Sequence, residues 1–195
     1  MGPKAAAPGI RTIVCNEDLW YLRLGAWLGL YRKELTHSAV ETSIMAVPRD
    51  EVDYWALRLA KYHTGELEDG PARAMFMHDG VHSRQMFGKP FWLWGLRYVF
   101  SKRFRRRIEE EAYTVHLIYL AKCGVTLEGP YWREHLCQLY FGAFNERLAS
   151  ETFERIAAAV RENVPGASIV ESVQTPGGAA SYTPWLAEAA TGAKG

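Results

Sequence analysis

The chain is organised around the ten residues Phe76-Met-His-Asp-Gly-Val-His-Ser-Arg-Gln85. His78 and His82 are four residues apart, a spacing that places both side chains on one face of an α-helix, one turn apart. Two imidazoles in this arrangement can both reach one metal ion, and the carboxylate of Asp79 directly follows the first of them. The stretch therefore predicts a helix that carries part of a metal site.

The residues around this stretch predict where its helix begins and ends. Pro71 suits the first turn of a helix, and Gly88 followed by Pro90 predicts the end of the same helix. Apolar residues at helical spacing predict further helices at about 16–33, 49–62, 108–122, 131–144 and 150–163. Strand patterns are few: 11–15 and 168–173 are β-prone, and 36–47 is ambiguous between helix and strand.

We therefore expect a mainly α protein, built as a single compact helical domain around a pair of helices. At most a small β-sheet accompanies the helices. The predicted domain covers 11–174, between a flexible N-terminal arm at 1–10 and a flexible C-terminal tail at 175–195, both rich in Gly, Ala and Pro.

Composition excludes several classes of protein. The 195 residues are 48% hydrophobic, which is enough for one packed core. A formal net charge of +1 gives no whole-chain field that would attract nucleic acid or membrane. Three cysteines without C-x-x-C spacing indicate reduced thiols. With no signal peptide or spanning segment in the sequence, we expect a cytoplasmic protein, or one incorporated in a particle assembled in the cytoplasm.

A third metal ligand is predicted on another helix. A catalytic zinc ion takes about three protein ligands and keeps one open position. Glu109, Glu110 and Glu111 are adjacent carboxylates on a predicted helix, so one of them must face inward. Glu109 precedes Tyr113 by four residues and His116 by seven, which places these three on one side of the helix. The other two acids are expected to be solvated or paired with arginine.

These motifs resemble the compact zincin-type metallopeptidase domains of bacteria and tailed phages. In those domains an H-E-x-x-H-x-x-Q helix is followed by a basic, aromatic connector and an E-x-E-A-[YD] helix. The resemblance covers roughly residues 71–120. It implies zinc (Zn2+) as the metal, with His78, His82 and Glu109 as its ligands and Asp79 as the general base. Gln85 matches the glutamine of the family's motif.

The aspartate departs from that pattern, and two functions stay open. Aspartate is one methylene shorter than glutamate, and a general base must come within about 2.6–3.2 Å of its water. One function is a zinc-dependent metallopeptidase acting on a peptide or protein substrate, in which Tyr113 or His116 stabilises the oxyanion or orients Glu109. The other is a non-catalytic structural protein, such as a phage virion, tail or head-tail component, whose partners are other subunits of an assembly.

The segment 91–107 joins the most apolar stretch of the chain to a basic run. We interpret it as a core helix or a tightly packed connection, followed by a helix with a solvated basic face, and we expect no nucleic-acid binding. Attachment to a membrane surface through 91–107 stays open as an alternative. His37, His63 and His135 are expected to be ordinary surface or core histidines.

Overall fold

The structure, a computed structural model, describes residues 9–27, 38–41, 43–68, 70–139 and 142–171. Within these residues the chain forms seven α-helices and five strands, with short 3-10 turns at Asn16–Asp18 and Arg49–Glu51. In chain order the elements are β1 (Thr12–Cys15), α1 (Trp20–Trp27), β2 (Ser38–Glu41), β3 (Ile44–Val47), α2 (Val52–Thr64), α3 (Pro71–Met86), α4 (Phe91–Phe100), α5 (Lys102–Lys122), β4 (Leu127–Glu128), α6 (Gly129–Leu139), α7 (Glu146–Asn163) and β5 (Ile169–Val170). The predicted tail at 175–195 lies outside the described residues, and the predicted arm is described only at 9 and 10.

The prediction of a mainly α fold is confirmed, and the described part of the chain contains two small sheets. The larger sheet has the strand order β1-β3-β2, with β1 parallel and β2 antiparallel to β3. The ambiguous stretch 36–47 supplies β2 and β3 of this sheet. The smaller sheet pairs β4 with β5 in parallel, which places Leu127 opposite Ile169.

Local residues set the ends of the helices near the predicted site. Pro71 occupies the first turn of α3, and Gly88, with φ at 72°, turns the chain into α4. Ser101 separates α4 from α5, because its hydroxyl accepts a hydrogen bond from the Phe104 amide at 3.2 Å. Helix α7 begins four residues before the predicted start at 150, because the side chain of Asn145 caps it.

The buried apolar residues form two clusters that share α3 and α5. One cluster joins these helices to α6 and α7, and includes Ala74 of α3 and Leu117 of α5. The other joins them to the three-stranded sheet, α2 and α4, and includes Phe76 of α3 and Ile108 of α5. Ile10 belongs to this second cluster and is only 3% exposed, so the core includes it. The two helices that carry the predicted ligands therefore lie at the centre of the packing.

Candidate metal centre

The two histidines of α3 lie one helical turn apart and face the same point. Their Nε2 atoms are 3.2 Å apart, and each residue is 6% exposed. One ligand atom of Asp79 lies within 4.8 Å of a ligand atom of each histidine. His78, Asp79 and His82 thus form a buried cluster that could bind a metal ion.

The carboxylate of Glu109 reaches this cluster from α5. Its Oε2 atom lies 3.5 Å from His82 Nε2 and 3.7 Å from His78 Nε2. Of the two neighbouring acids, Glu110 forms an ion pair with Arg155 at 2.7 Å, and the other is exposed to solvent. Helix α5 therefore presents Glu109 to the histidines, although its role as a metal ligand stays a prediction.

The three donor atoms form a triangle that suits one small metal ion. For edges of 3.2, 3.5 and 3.7 Å, the point equidistant from all three atoms lies about 2.0 Å from each, close to the length of zinc–nitrogen and zinc–oxygen bonds. Glu109 Oε2 is buried and has no hydrogen-bond partner among the described residues. A buried carboxylate oxygen is costly without a donor or a cation, and either a proton on His82 or a metal ion at this point would satisfy it. The residues present therefore fit a divalent metal ion.

A tyrosine of α4 fixes the orientation of the Glu109 carboxylate. The hydroxyl of Tyr98 donates to Glu109 Oε1 at 2.8 Å, which leaves Oε2 facing the histidines. The end of α4 is held in turn by Arg105, a buried residue whose guanidinium donates to the backbone carbonyls of Tyr98 and Val99. Interactions of this kind orient ligands and tune metal affinity.

Gln85 fixes the tautomer of His82. Its amide nitrogen donates to the Ile108 carbonyl at 3.2 Å and to Glu111 at 3.0 Å. Because both of these partners are acceptors, the amide oxygen must be the atom that faces His82 Nδ1, at 2.9 Å. His82 Nδ1 therefore carries hydrogen, and Nε2 is the atom available to a metal. This gives a physical role to the glutamine of the motif.

The two histidines differ in their affinity for protons. Burial, together with the nearby His82 and His116, lowers the pKa of His78 well below its ordinary value. Burial also lowers the pKa of His82, but the Glu109 carboxylate outweighs it and raises this pKa to about 9. Without metal, His82 therefore holds a proton beside Glu109 while His78 is neutral. A metal ion would have to displace that proton.

Tyr113 and His116 lie beside His78. Their rings are 4.6 Å and 5.7 Å from the His78 ring, centroid to centroid. The Tyr113 hydroxyl is hydrogen-bonded to His135 Nε2 of α6 at 2.8 Å, so the hydroxyl that orients Glu109 is that of Tyr98. Burial lowers the pKa of His116 to about 3, which keeps it neutral. A role of Tyr113 or His116 at the oxyanion stays a prediction.

Sequence reasoning did not assign Tyr98 and Arg105 to this site, and it interpreted His135 as an ordinary surface or core histidine. Tyr98 gave one usable signal, because it is a polar group within the most apolar stretch and a buried tyrosine hydroxyl usually finds a partner. Among the other histidines, His63 is exposed and His37 lies outside the described residues.

No protein-family model, curated protein or solved structure matches the chain. The resemblance to zincin-type domains is therefore carried by the motif of residues 76–85 and by the acids of α5. The structure adds the buried cluster of His78, Asp79 and His82, and membership of the family stays a prediction.

Proposed function

We propose that the chain is a metal-dependent hydrolase that cleaves peptide bonds, with zinc held by His78, His82 and Glu109. The main support is the triangle of donor atoms, whose centre lies about 2.0 Å from each of them. Two imidazoles and one carboxylate are a ligand set of catalytic zinc sites, in which the fourth position is open to water or substrate. The choice of the peptide bond comes from the resemblance to zincin-type domains.

Asp79 is the residue that we assign to proton transfer. Its ligand atom lies within 4.8 Å of those of the histidines, so the carboxylate is close to the position of a water that a metal held there would bind. This proximity supports Asp79 as the general base despite its shorter side chain. A bound metal would supply Lewis-acid activation of the water and of the scissile carbonyl. Asp79 accepts the proton of the attacking water at a carboxylate oxygen and returns it to the leaving amine.

Metal content and hydrolysis, measured on the same variants, test this proposal. After zinc loading and dialysis, we expect one zinc per chain in the wild type and in Asp79→Asn, and loss of zinc in Glu109→Ala. Glu110→Gln is the matched control, because Glu110 lies on the same helix but pairs with Arg155. New peptide termini, detected by mass spectrometry of a peptide mixture, should appear only with zinc-loaded protein that retains Asp79. Folded wild-type protein that binds no zinc would overturn the metal site itself.

The burial of the site favours a second function, a structural metal centre without catalysis. His78 and His82 are each 6% exposed, and Asp79 and Glu109 are each 2% exposed, whereas a catalytic metal must be reached by its substrate. In this case the metal ties α3 to α5, and the partners of the chain are other subunits of an assembly, such as a phage particle.

The two functions differ in what zinc does. A structural centre predicts stabilisation without hydrolysis. At a free zinc concentration of about a thousand times Kd, binding adds about 4.1 kcal/mol, which raises Tm by about 8–16 °C for a chain of this size. Zinc bound with this stabilisation and no peptide cleavage would contradict the peptidase and support the structural centre.

A further inference from the structure

Helix α4 has apolar residues on two opposite sides. Its inner side carries Trp94, which is buried and stacks on Tyr98 with ring centroids 5.3 Å apart. The outer face, as we call it, consists of the exposed residues Trp92 (58%), Leu93 (43%), Leu96 (48%), Val99 (36%) and Phe100 (80%). At 3.6 residues per turn these side chains span an arc of about 120°, centred about 180° from the inner side. A helix that is apolar all round is normally covered on all sides, so the outer face is suited to a partner.

The outer face lies in a segment of the chain that is rich in positive charge. Residues 87–108 contain seven lysines and arginines and no aspartate or glutamate. Arg105 is buried, and Arg106 donates to the Ala143 carbonyl at 2.9 Å. Lys89 donates to the Gln85 carbonyl at 2.6 Å, and the Arg97 guanidinium lies over the Phe104 ring. Five of the seven cations are exposed: Lys89, Arg97, Lys102, Arg103 and Arg107. A segment that exposes both apolar side chains and several cations complements a surface whose outer layer is anionic and whose interior is apolar.

We propose that the outer face of α4 docks on an anionic phospholipid surface. Trp92, Phe100 and their aliphatic neighbours enter the boundary between headgroups and acyl chains, and the exposed cations pair with lipid phosphates and acidic headgroups. None of the helices in the described part of the chain combines the length and apolar character that crossing a bilayer requires.

Charge and chemistry favour lipid over two other occupants. A second copy of the chain bound through the same face would bring two sets of cations together, with no acid in 87–108 to neutralise them. Nucleic acid would satisfy the cations but would leave Leu93, Leu96 and Val99 against a polar backbone. Of these three occupants, the anionic bilayer is the one that offers both kinds of contact.

The outer face lies on the same helix as a residue of the candidate metal centre. The inner side of the same helix carries Tyr98 to Glu109, with the hydrogen bond of 2.8 Å described above. The lipid surface therefore lies one helix away from the metal centre. Docking itself does not depend on a bound metal, because the outer face is formed by α4 alone.

Sedimentation with vesicles tests the proposal on the full chain. Vesicles of phosphatidylcholine are compared with and without phosphatidylglycerol. We expect binding to the anionic vesicles that weakens at least about tenfold when salt rises from about 0.05 M to about 0.5 M. The double variant Trp92→Ser/Phe100→Ser should lose at least about tenfold in binding. Its matched control, Trp27→Ser/Leu57→Ser, removes exposed apolar residues of α1 and α2 and should bind as the wild type does.

A charge variant and a measurement of mass complete the test. Lys102→Gln/Arg103→Gln should weaken binding to anionic vesicles, whereas Lys61→Gln/Arg147→Gln, at exposed positions of α2 and α7, should not. Circular dichroism confirms that each variant is folded. Absence of binding to anionic vesicles at low salt overturns the proposal, as does binding that the Trp92/Phe100 variant leaves unchanged. If the wild type binds no vesicles but forms a dimer that the Trp92/Phe100 variant dissociates, the outer face belongs to a second copy of the chain instead. If the wild type binds nucleic acid tightly and no vesicles, nucleic acid is the partner instead.

Discussion

Replacing Glu109 by glutamine should change how the stability of the metal-free protein depends on pH. In the wild type, the Glu109 carboxylate outweighs the effect of burial and raises the pKa of His82 from 6.5 to about 9. A pKa difference of about 2.5 between the unfolded and folded protein corresponds to about 3.4 kcal/mol. Because the folded pKa is the higher one, this stabilisation is fully present below pH 6.5 and is lost as the pH rises through 9.

The assay is urea unfolding in the presence of a chelator, at several values of pH from 6.5 to 9. Across this range the difference in unfolding free energy between wild type and Glu109→Gln should shrink by about 2–3 kcal/mol. The change with pH is the informative quantity, since glutamine also avoids the cost of burying a carboxylate.

The control is Glu110→Gln, which changes an acid of the same helix that is paired with Arg155 at the surface. Its stability should follow that of the wild type with pH. If the Glu109→Gln profile also ran parallel to the wild type, Glu109 and His82 would not be coupled. The convergence of the donor atoms would then be refuted, and the metal site with it.

Four further predictions concern the same site. Tyr98→Phe should weaken zinc binding by about 10- to 100-fold in competition with a chromophoric chelator, because the carboxylate loses its orienting donor; Tyr62→Phe, on α2, should leave the affinity within about twofold of the wild type. Gln85→Leu should have an effect of similar size, since His82 loses the acceptor for Nδ1, and an unchanged affinity would mean that another group sets the tautomer. Because zinc displaces the proton of His82, zinc binding should release one proton near pH 7. Calorimetry in buffers of different ionisation enthalpy counts this proton. For the same reason, zinc affinity should fall about tenfold for each pH unit below 9. Burial lowers the pKa of His116 to about 3, so the free energy of unfolding should fall by about 1.4 kcal/mol per pH unit as the pH falls from 6.5 towards 3. In His116→Gln this dependence on pH should be weaker by the same amount, as measured by urea unfolding.

Helical periodicity was enough to predict that the two histidines of the site lie on one face of a helix. The backbone hydrogen bonds of a helix set 3.6 residues per turn whatever surrounds it, so His78 and His82 had to share a face once Pro71 and Gly88 bounded a helix. The same rule placed Glu109 on the inner side of α5. Where local signals were weak, sequence reasoning was less informative: 36–47 stayed ambiguous, and the start of α7 was placed too late because the Asn145 cap was not recognised.

What the sequence determined by itself was which residues share a helix face, because that follows from backbone geometry within one segment. Only the tertiary structure decided which faces meet: that Oε2 of Glu109 comes within 3.7 Å of both histidines, and that Tyr98 of α4 donates to its other oxygen. Contacts between segments depend on how the two apolar clusters pack α4 and α5 against α3, and no spacing along the chain encodes that packing.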